Sequence, residues 1–158
     1  MKFFGTDADA QKFEMLKNIP IFQELTRKEI LEVDELLHER VYEKGEILFE
    51  EGDPGHGIFI IVSGKVRTDS SHNLLKMANL EFGPGELLGE LSLFDEALRP
   101  ATVVAIERTV ALALFQAEFT SLLTTDRKIG VKVLVEIARI ISRRTRQLLF
   151  QEKHLPSI

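Results

Sequence analysis

No cysteine occurs among the 158 residues. That absence removes disulfides, iron–sulfur ligation, thiolate zinc sites and thiol nucleophiles together, so any sensing or catalysis must use other chemistry. Long apolar runs are missing as well: stretches such as Ile58 to Val62 fall far short of the roughly 20 residues that cross a bilayer. At the N-terminus, Asp7 and Asp9 follow Met1-Lys2-Phe3-Phe4-Gly5 before a secretory core of about 7–15 apolar residues can form. With neither a span nor a leader, the chain is expected in the cytoplasm and away from membranes. His38, His56, His72 and His154 are scattered and none forms a His-x-His pair. A metal-dependent barrel enzyme would need such a cluster or an activated nucleophile, so no enzymatic activity is expected.

What is present suits one globular domain spanning residues 1–158: 44% hydrophobic and 28% charged residues, with no internal repeat and no low-complexity linker. The net charge of −5 is uneven, because Arg139, Arg143, Arg144 and Arg146 crowd the C-terminal segment while acids dominate elsewhere. Four arginines on an acidic chain make a thin footprint for nucleic acid, and they read as a solvated helix face.

Along the chain the texture changes twice. A helical segment is expected over about residues 8–40. Thr26 can cap the amide of Glu29, whose carboxylate reaches back, and Leu25 can staple Ile30. Apolar Ile30, Leu31, Val33, Leu36 and Leu37 continue that helix, with an expected end around His38 to Arg40. From about 41 to 115, short β-branched or aromatic runs alternate with turns: Ile47 to Phe49, Ile58 to Val62, Lys65 to Thr68, Leu75 to Leu80, Ala101 to Ile106 and Val110 to Phe115. Gly52-Asp53-Pro54-Gly55 and Gly83-Pro84-Gly85 supply turn geometry, and Ser70 to Asn73 suits a hairpin tip. That spacing predicts a compact antiparallel roll or barrel.

Helical period returns over about 116–152, as a short segment from Gln116 to Leu123 and then a long helix to about Gln151, with Thr124, Thr125 and Asp126 as candidate caps. Leu134, Ile137, Ile141, Thr145 and Leu148 form one seam, broadened by Val131, Val135, Ala138 and Ile140. A stripe this wide predicts contact with both the roll and a second copy, hence a homodimer through Leu134, Ile137, Ile141 and Leu148.

The stretch that carries chemistry runs from Phe82 to Val103. It reads as a glycine turn, a short apolar strand, one helical turn opened by Gly89-Glu90, and a lone Arg99 leading into the next strand. A first helical turn presents free amides and partial positive charge to an anion. The planar fork of Arg99 matches two phosphate oxygens, and Glu90 makes sense beside a phosphate if a sugar hydroxyl needs an acceptor. Together these groups describe a ribose phosphate.

Gly89-Glu90-Leu91-Ser92-Leu93 followed by Arg99 and Ala101-Thr102 resembles the phosphate-binding cassette of the cyclic-nucleotide-binding domain family. The resemblance extends over nearly the whole chain, through Ile21 to Leu25, Lys44-Gly45-Glu46, Glu51-Gly52-Asp53 and Ile58 to Val66. It implies an eight-stranded antiparallel β-roll of the jelly-roll type, flanked by N-terminal helices and a long C-terminal helix. It further implies that Glu90 accepts from the ribose 2′-hydroxyl and Arg99 clamps the cyclic phosphate. The amides around Leu91 and Ser92 would complete the anion site, and Gly89 would let the chain turn against the sugar. Pro100 departs from the family, which usually places a small residue or threonine there with its amide aimed at the phosphate. Proline has no such hydrogen, and the loss of one charge-assisted bond is worth about 1.5–3 kcal/mol. Its missing hydroxyl also removes a contact tied to guanine, which points to cyclic AMP rather than cyclic GMP.

Gly89, Glu90, Leu91, Ser92, Arg99, Pro100 and Ala101 are therefore the candidate ligand-binding residues. The expected role is a regulatory sensor signalling through its last helix. The rival role is a non-binding domain of the same fold, its pocket decayed at Pro100, that acts in dimerisation. Only Glu152 to Ile158 follow the long helix, so direct DNA binding is not expected and the output partner would be a separate protein.

Overall fold

A computed structural model of the chain describes residues 7–71 and 79–151. Eight antiparallel strands form two four-stranded sheets among the described residues, ordered β1-β8-β3-β6 and β2-β7-β4-β5. The first contains β1 (His38–Tyr42), β8 (Thr109–Phe115), β3 (Gly57–Ser63) and β6 (Leu87–Leu88). The second contains β2 (Ile47–Phe49), β7 (Thr102–Ala105), β4 (Val66–Asp69) and β5 (Glu81–Phe82). Helices α1 (Asp7–Lys17), α2 (Arg27–Asp34), α3 (Gln116–Thr125) and α4 (Arg127–Gln151) flank this roll. Most of the strand expected over Leu75 to Leu80, and the hairpin tip beyond Ser71, lie outside the described residues.

The continuous apolar run of β3 has a reason in its two buried faces. Successive side chains alternate sides of a strand: Ile58 and Ile60 join the helices' core, whereas Phe59 and Ile61 fill the roll interior with Val66, Leu88 and Val103. α2 starts as its residues dictate, with the Glu29 amide donating to Thr26 Oγ1 at 3.3 Å and the Thr26 amide donating to Glu29 Oε2 at 2.8 Å. It stops at Asp34, short of the predicted His38 to Arg40. Three-residue bonds from the Leu36 amide to Val33 O and from the Leu37 amide to Asp34 O tighten its last turn. That turn releases His38 to pair with Ala113 across β8.

α4 closes the helical layer, with Asp126 Oδ1 accepting from the Ile129 amide at 3.3 Å as its cap. Thr124 and Thr125 instead bond back to carbonyls of α3. The predicted dimer seam is corrected here. Ile137 is fully buried in the chain's own core, and Leu134 and Ile141 pack against that core. The large apolar residues that α4 leaves exposed are Val131, Val135, Leu148, Leu149 and Phe150, so that Leu148 alone of the four predicted seam residues is exposed.

Candidate functional site

β6 pairs with β3 through Leu88 opposite Phe59 and Leu87 opposite Ile60. The chain then reverses at Gly89, whose φ of 87° is left-handed, into a single 3-10 turn over Glu90–Ser92. Conformation is not the only demand at Gly89: a Cβ there would lie 2.4 Å from Arg99 Nη1 and 2.9 Å from Gly57 O. Arg99 and the cassette turn can approach this closely only across a glycine. On the other side of the turn, a Cβ at Gly55 would fall 2.0 Å from Ser92 Cβ, so the Gly52 to Gly57 loop packs directly on the cassette.

Arg99 is held in place along its whole length. Its amide donates to Asp53 O at 2.8 Å and its carbonyl accepts from the Gly52 amide at 2.9 Å, an extended arrangement compatible with the proline that follows. Its guanidinium lies 4.2 Å over the Phe49 ring centroid, donates from Nη1 to Gly89 O at 3.1 Å and from Nη2 to Gly57 O at 2.8 Å. The side chain is 5% exposed and its Nε has no partner among the described residues. Burial pulls its pKa below the ordinary arginine value, an effect that the charges of Glu90 and Asp53 oppose. The guanidinium nevertheless keeps its charge at any pH where the protein folds. Ser92 Oγ is a second buried polar atom without a partner, while the Ser92 amide is engaged by Gly89 O at 3.3 Å.

Glu90 is buried too, and its carboxylate already has a partner. Arg144, reaching in from α4, donates from Nη1 to Glu90 Oε1 and from Nη2 to Leu87 O, with its guanidinium 5.0 Å from the Phe82 ring centroid. All seven predicted residues, from Gly89 to Ala101, line one cavity of about 50 Å³ against the inner wall of the roll. A second cavity of about 260 Å³ opens on the other side of Arg144, between β5 and the last turns of α4. Phe82, Glu90, Leu91 and Arg144 border both.

Three residues of this site escape a reading by motif. Phe49 arrives from a strand remote in sequence, and Phe82, at the head of the Phe82 to Val103 stretch, from β5. Arg144 reads by composition as one of the solvated arginines, yet its position four residues after Ile140 and three after Ile141 puts it on the inward stripe of α4. That spacing is the signal that could have found it. No group of three or more metal-ligating side chains occurs among the described residues.

The sequence profile of the cyclic nucleotide-binding domain matches residues 39–126, more than half of the chain. The chain belongs to that family. Over 133 residues it is 35% identical to the cyclic AMP receptor protein of Thermus thermophilus, covering 84% of this chain and 60% of that protein. A cAMP-dependent protein kinase regulatory subunit of Hypocrea atroviridis is 29% identical over 128 residues, covering 77% of this chain and 27% of the subunit. The chain thus spans from about a quarter to three-fifths of these curated relatives. Among solved structures, a cyclic nucleotide-binding domain from Methylobacillus flagellatus superposes with a TM-score of 0.82 at 23% identity, covering 94% of this chain and 87% of that one, a likeness of fold. The Thermus thermophilus catabolite activator protein superposes with a TM-score of 0.70 at 34% identity, covering 84% of this chain and 61% of that one. The eight-stranded roll with its long final helix is the family's fold. No helix among the described residues is long and apolar enough to cross a membrane.

Proposed function

We infer that this domain is a non-catalytic sensor for cyclic AMP, with Arg99 receiving the phosphate, Glu90 the ribose hydroxyl, and α4 carrying the output. The observation that carries the reading is the state of Arg99. A charged side chain this deeply buried normally has a counter-charge against it, because an unpaired ion costs several kcal/mol to desolvate. Arg99 instead has two carbonyls, a ring face and an idle Nε. An anion entering the cavity would supply the missing charge, and Ser92 Oγ could donate to it. Pro100 lines the same cavity without an amide hydrogen or a hydroxyl, which weakens the phosphate cradle and disfavours guanine.

Self-association fits the same reading through the outer edge of the predicted stripe, without the Leu134, Ile137 and Ile141 that the core takes. Val131, Val135, Ala138, Ser142, Thr145 and Leu149 are all exposed and spaced four, three, four, three and four apart. That is the alternation of a two-helix seam, and its small residues permit close approach. A second α4 packed there would carry pocket occupancy across the interface.

Calorimetric titration of the natural chain with cyclic AMP and cyclic GMP tests the ligand. Saturable binding is expected, tighter for cyclic AMP, and Arg99→Ala should weaken it by about 3–5 kcal/mol. Absence of binding at millimolar nucleotide would replace the sensor with an interaction domain of the same fold.

A further inference from the structure

The three arginines of α4 that do not reach the pocket share a face with an aromatic. Arg139, Arg143, Arg146 and Phe150 follow one another at intervals of four, three and four residues, which aligns them along one side of the helix. All four are exposed, Phe150 at 62%. The buried Glu136 holds Arg139 by Nη1. Arg143 and Arg146 have no acidic partner among the described residues, although the chain carries 25 acids and a net charge of −5. Two unpaired guanidinium groups beside an exposed ring are costly to keep together on a merely solvated face, and arginine with an aromatic is the composition that anchors protein interfaces.

The surface beside this row is concave. Arg139, Arg143 and Arg146 line an open groove of about 520 Å³ with Val135, Ala138 and Ser142. Every one of those six residues belongs to α4, so the groove has one wall and lacks the other. The row lies about a quarter turn around the helix from the centre of the Val131 to Leu149 seam, so a second copy packed on the seam leaves it open.

Charge selects the occupant. The row is about 17 Å long at the helical rise, a short track for nucleic acid, whose affinity comes from neutralising many phosphates. An acidic body also repels a polyanion that extends past the row. A short acidic helix brings carboxylates only where the arginines stand, and each guanidinium fork can take a carboxylate with two bonds. We propose that Arg139, Arg143, Arg146 and Phe150 form a docking strip for an acidic amphipathic helix of a partner protein, its carboxylates on the arginines and an apolar side chain against Phe150. The strip is independent of the nucleotide reading, since none of these residues touches Arg99 or Glu90.

The test uses a fluorescent synthetic helix with glutamate along one face and leucine beside it, titrated by anisotropy without nucleotide. Its controls are the same helix with lysine for glutamate and a single-stranded DNA oligonucleotide of equal charge. The natural chain should bind the glutamate helix saturably, and added salt should weaken that binding. Arg143→Glu combined with Arg146→Glu should weaken it roughly tenfold or more and should instead take the lysine helix. Phe150→Ala should weaken it severalfold with the salt dependence kept. Unfolding curves should not change in any variant, because the substituted side chains are exposed. No binding of the glutamate helix by the natural chain, or equal binding by the double variant, overturns the strip. Tighter binding of the oligonucleotide than of the glutamate helix overturns it in favour of nucleic acid. A shift of the double variant towards monomer in sedimentation without any peptide overturns it in favour of a second copy.

Discussion

The two halves of α4 are one continuous helix with opposite surroundings. Before Ile141 the helix is part of the core: Ile129, Val133 and Ile137 are each at most 1% exposed, and Glu136 is buried beside Gln23 and Arg139. After Ile141 it runs over the mouth of the pocket, with Arg144 as its inward anchor. Moving the first half would require breaking the core, at a cost near that of unfolding. Moving the second half breaks one ion pair, one carbonyl contact and little apolar burial. The second half can therefore move at small cost while the first stays in place.

Ile137→Ala should break the rigid half with the largest effect, a loss of about 2–5 kcal/mol of stability in chemical denaturation, as for any large-to-small change in a closed core. A loss below about 1 kcal/mol would mean that the first half is not locked. Pro100→Ala acts at the pocket end of the comparison. If restoring an amide adds one charge-assisted bond to the phosphate, cyclic AMP should bind more tightly by up to about 1.5–3 kcal/mol in calorimetry. Weaker binding would show that the proline shapes the cradle instead of depleting it.

Acid should weaken the tie between α2 and the first half. Burial of Glu29 alone would raise its carboxyl, but the bonds from Lys132 and Thr26 outweigh burial and hold it below the usual 4.5. A depressed folded value means that this contribution is complete above about pH 4.5 and is lost as pH falls through the lower folded value. Denaturation curves between pH 7 and 3 should show that decline, and Glu29→Gln should flatten it; parallel curves for the two proteins would contradict the lock. The smallest effect on stability belongs to Leu149→Ala, which should stay within about 0.5 kcal/mol because the side chain is exposed. The same variant should shift sedimentation of the protein towards monomer, and unchanged association would remove α4's exposed face from the interface.

Local rules made much of the fold readable. The capping box at Thr26 and Glu29, the apolar run of β3, and glycines where the chain must reverse all act over a few residues, so their spacing alone identifies them. The cassette was readable because Gly89, Glu90 and Arg99 lie within one short stretch, and the fold brings them to one cavity. Contacts made only by closure of the roll left no local trace. Phe49 reaches Arg99, and Phe82 reaches Arg144, across turns whose geometry no spacing specifies. The end of α2 was misplaced because Leu36 and Leu37 keep the helical apolar period while their backbone already departs from it. The dimer seam was misplaced for a related reason. A wide apolar stripe announces burial without saying which part faces the chain's own core, and here that core takes Leu134, Ile137 and Ile141.

A nucleotide at Arg99 and Glu90 should be felt by the second half of α4 and not by the first. Hydrogen–deuterium exchange of the natural chain, with and without saturating cyclic AMP, reads both halves in one experiment. The predicted result is altered exchange over the cassette, residues 89–101, and over 142–151, with 129–137 unchanged. Exchange unaltered in the cassette, or altered equally along the whole of α4, would contradict it.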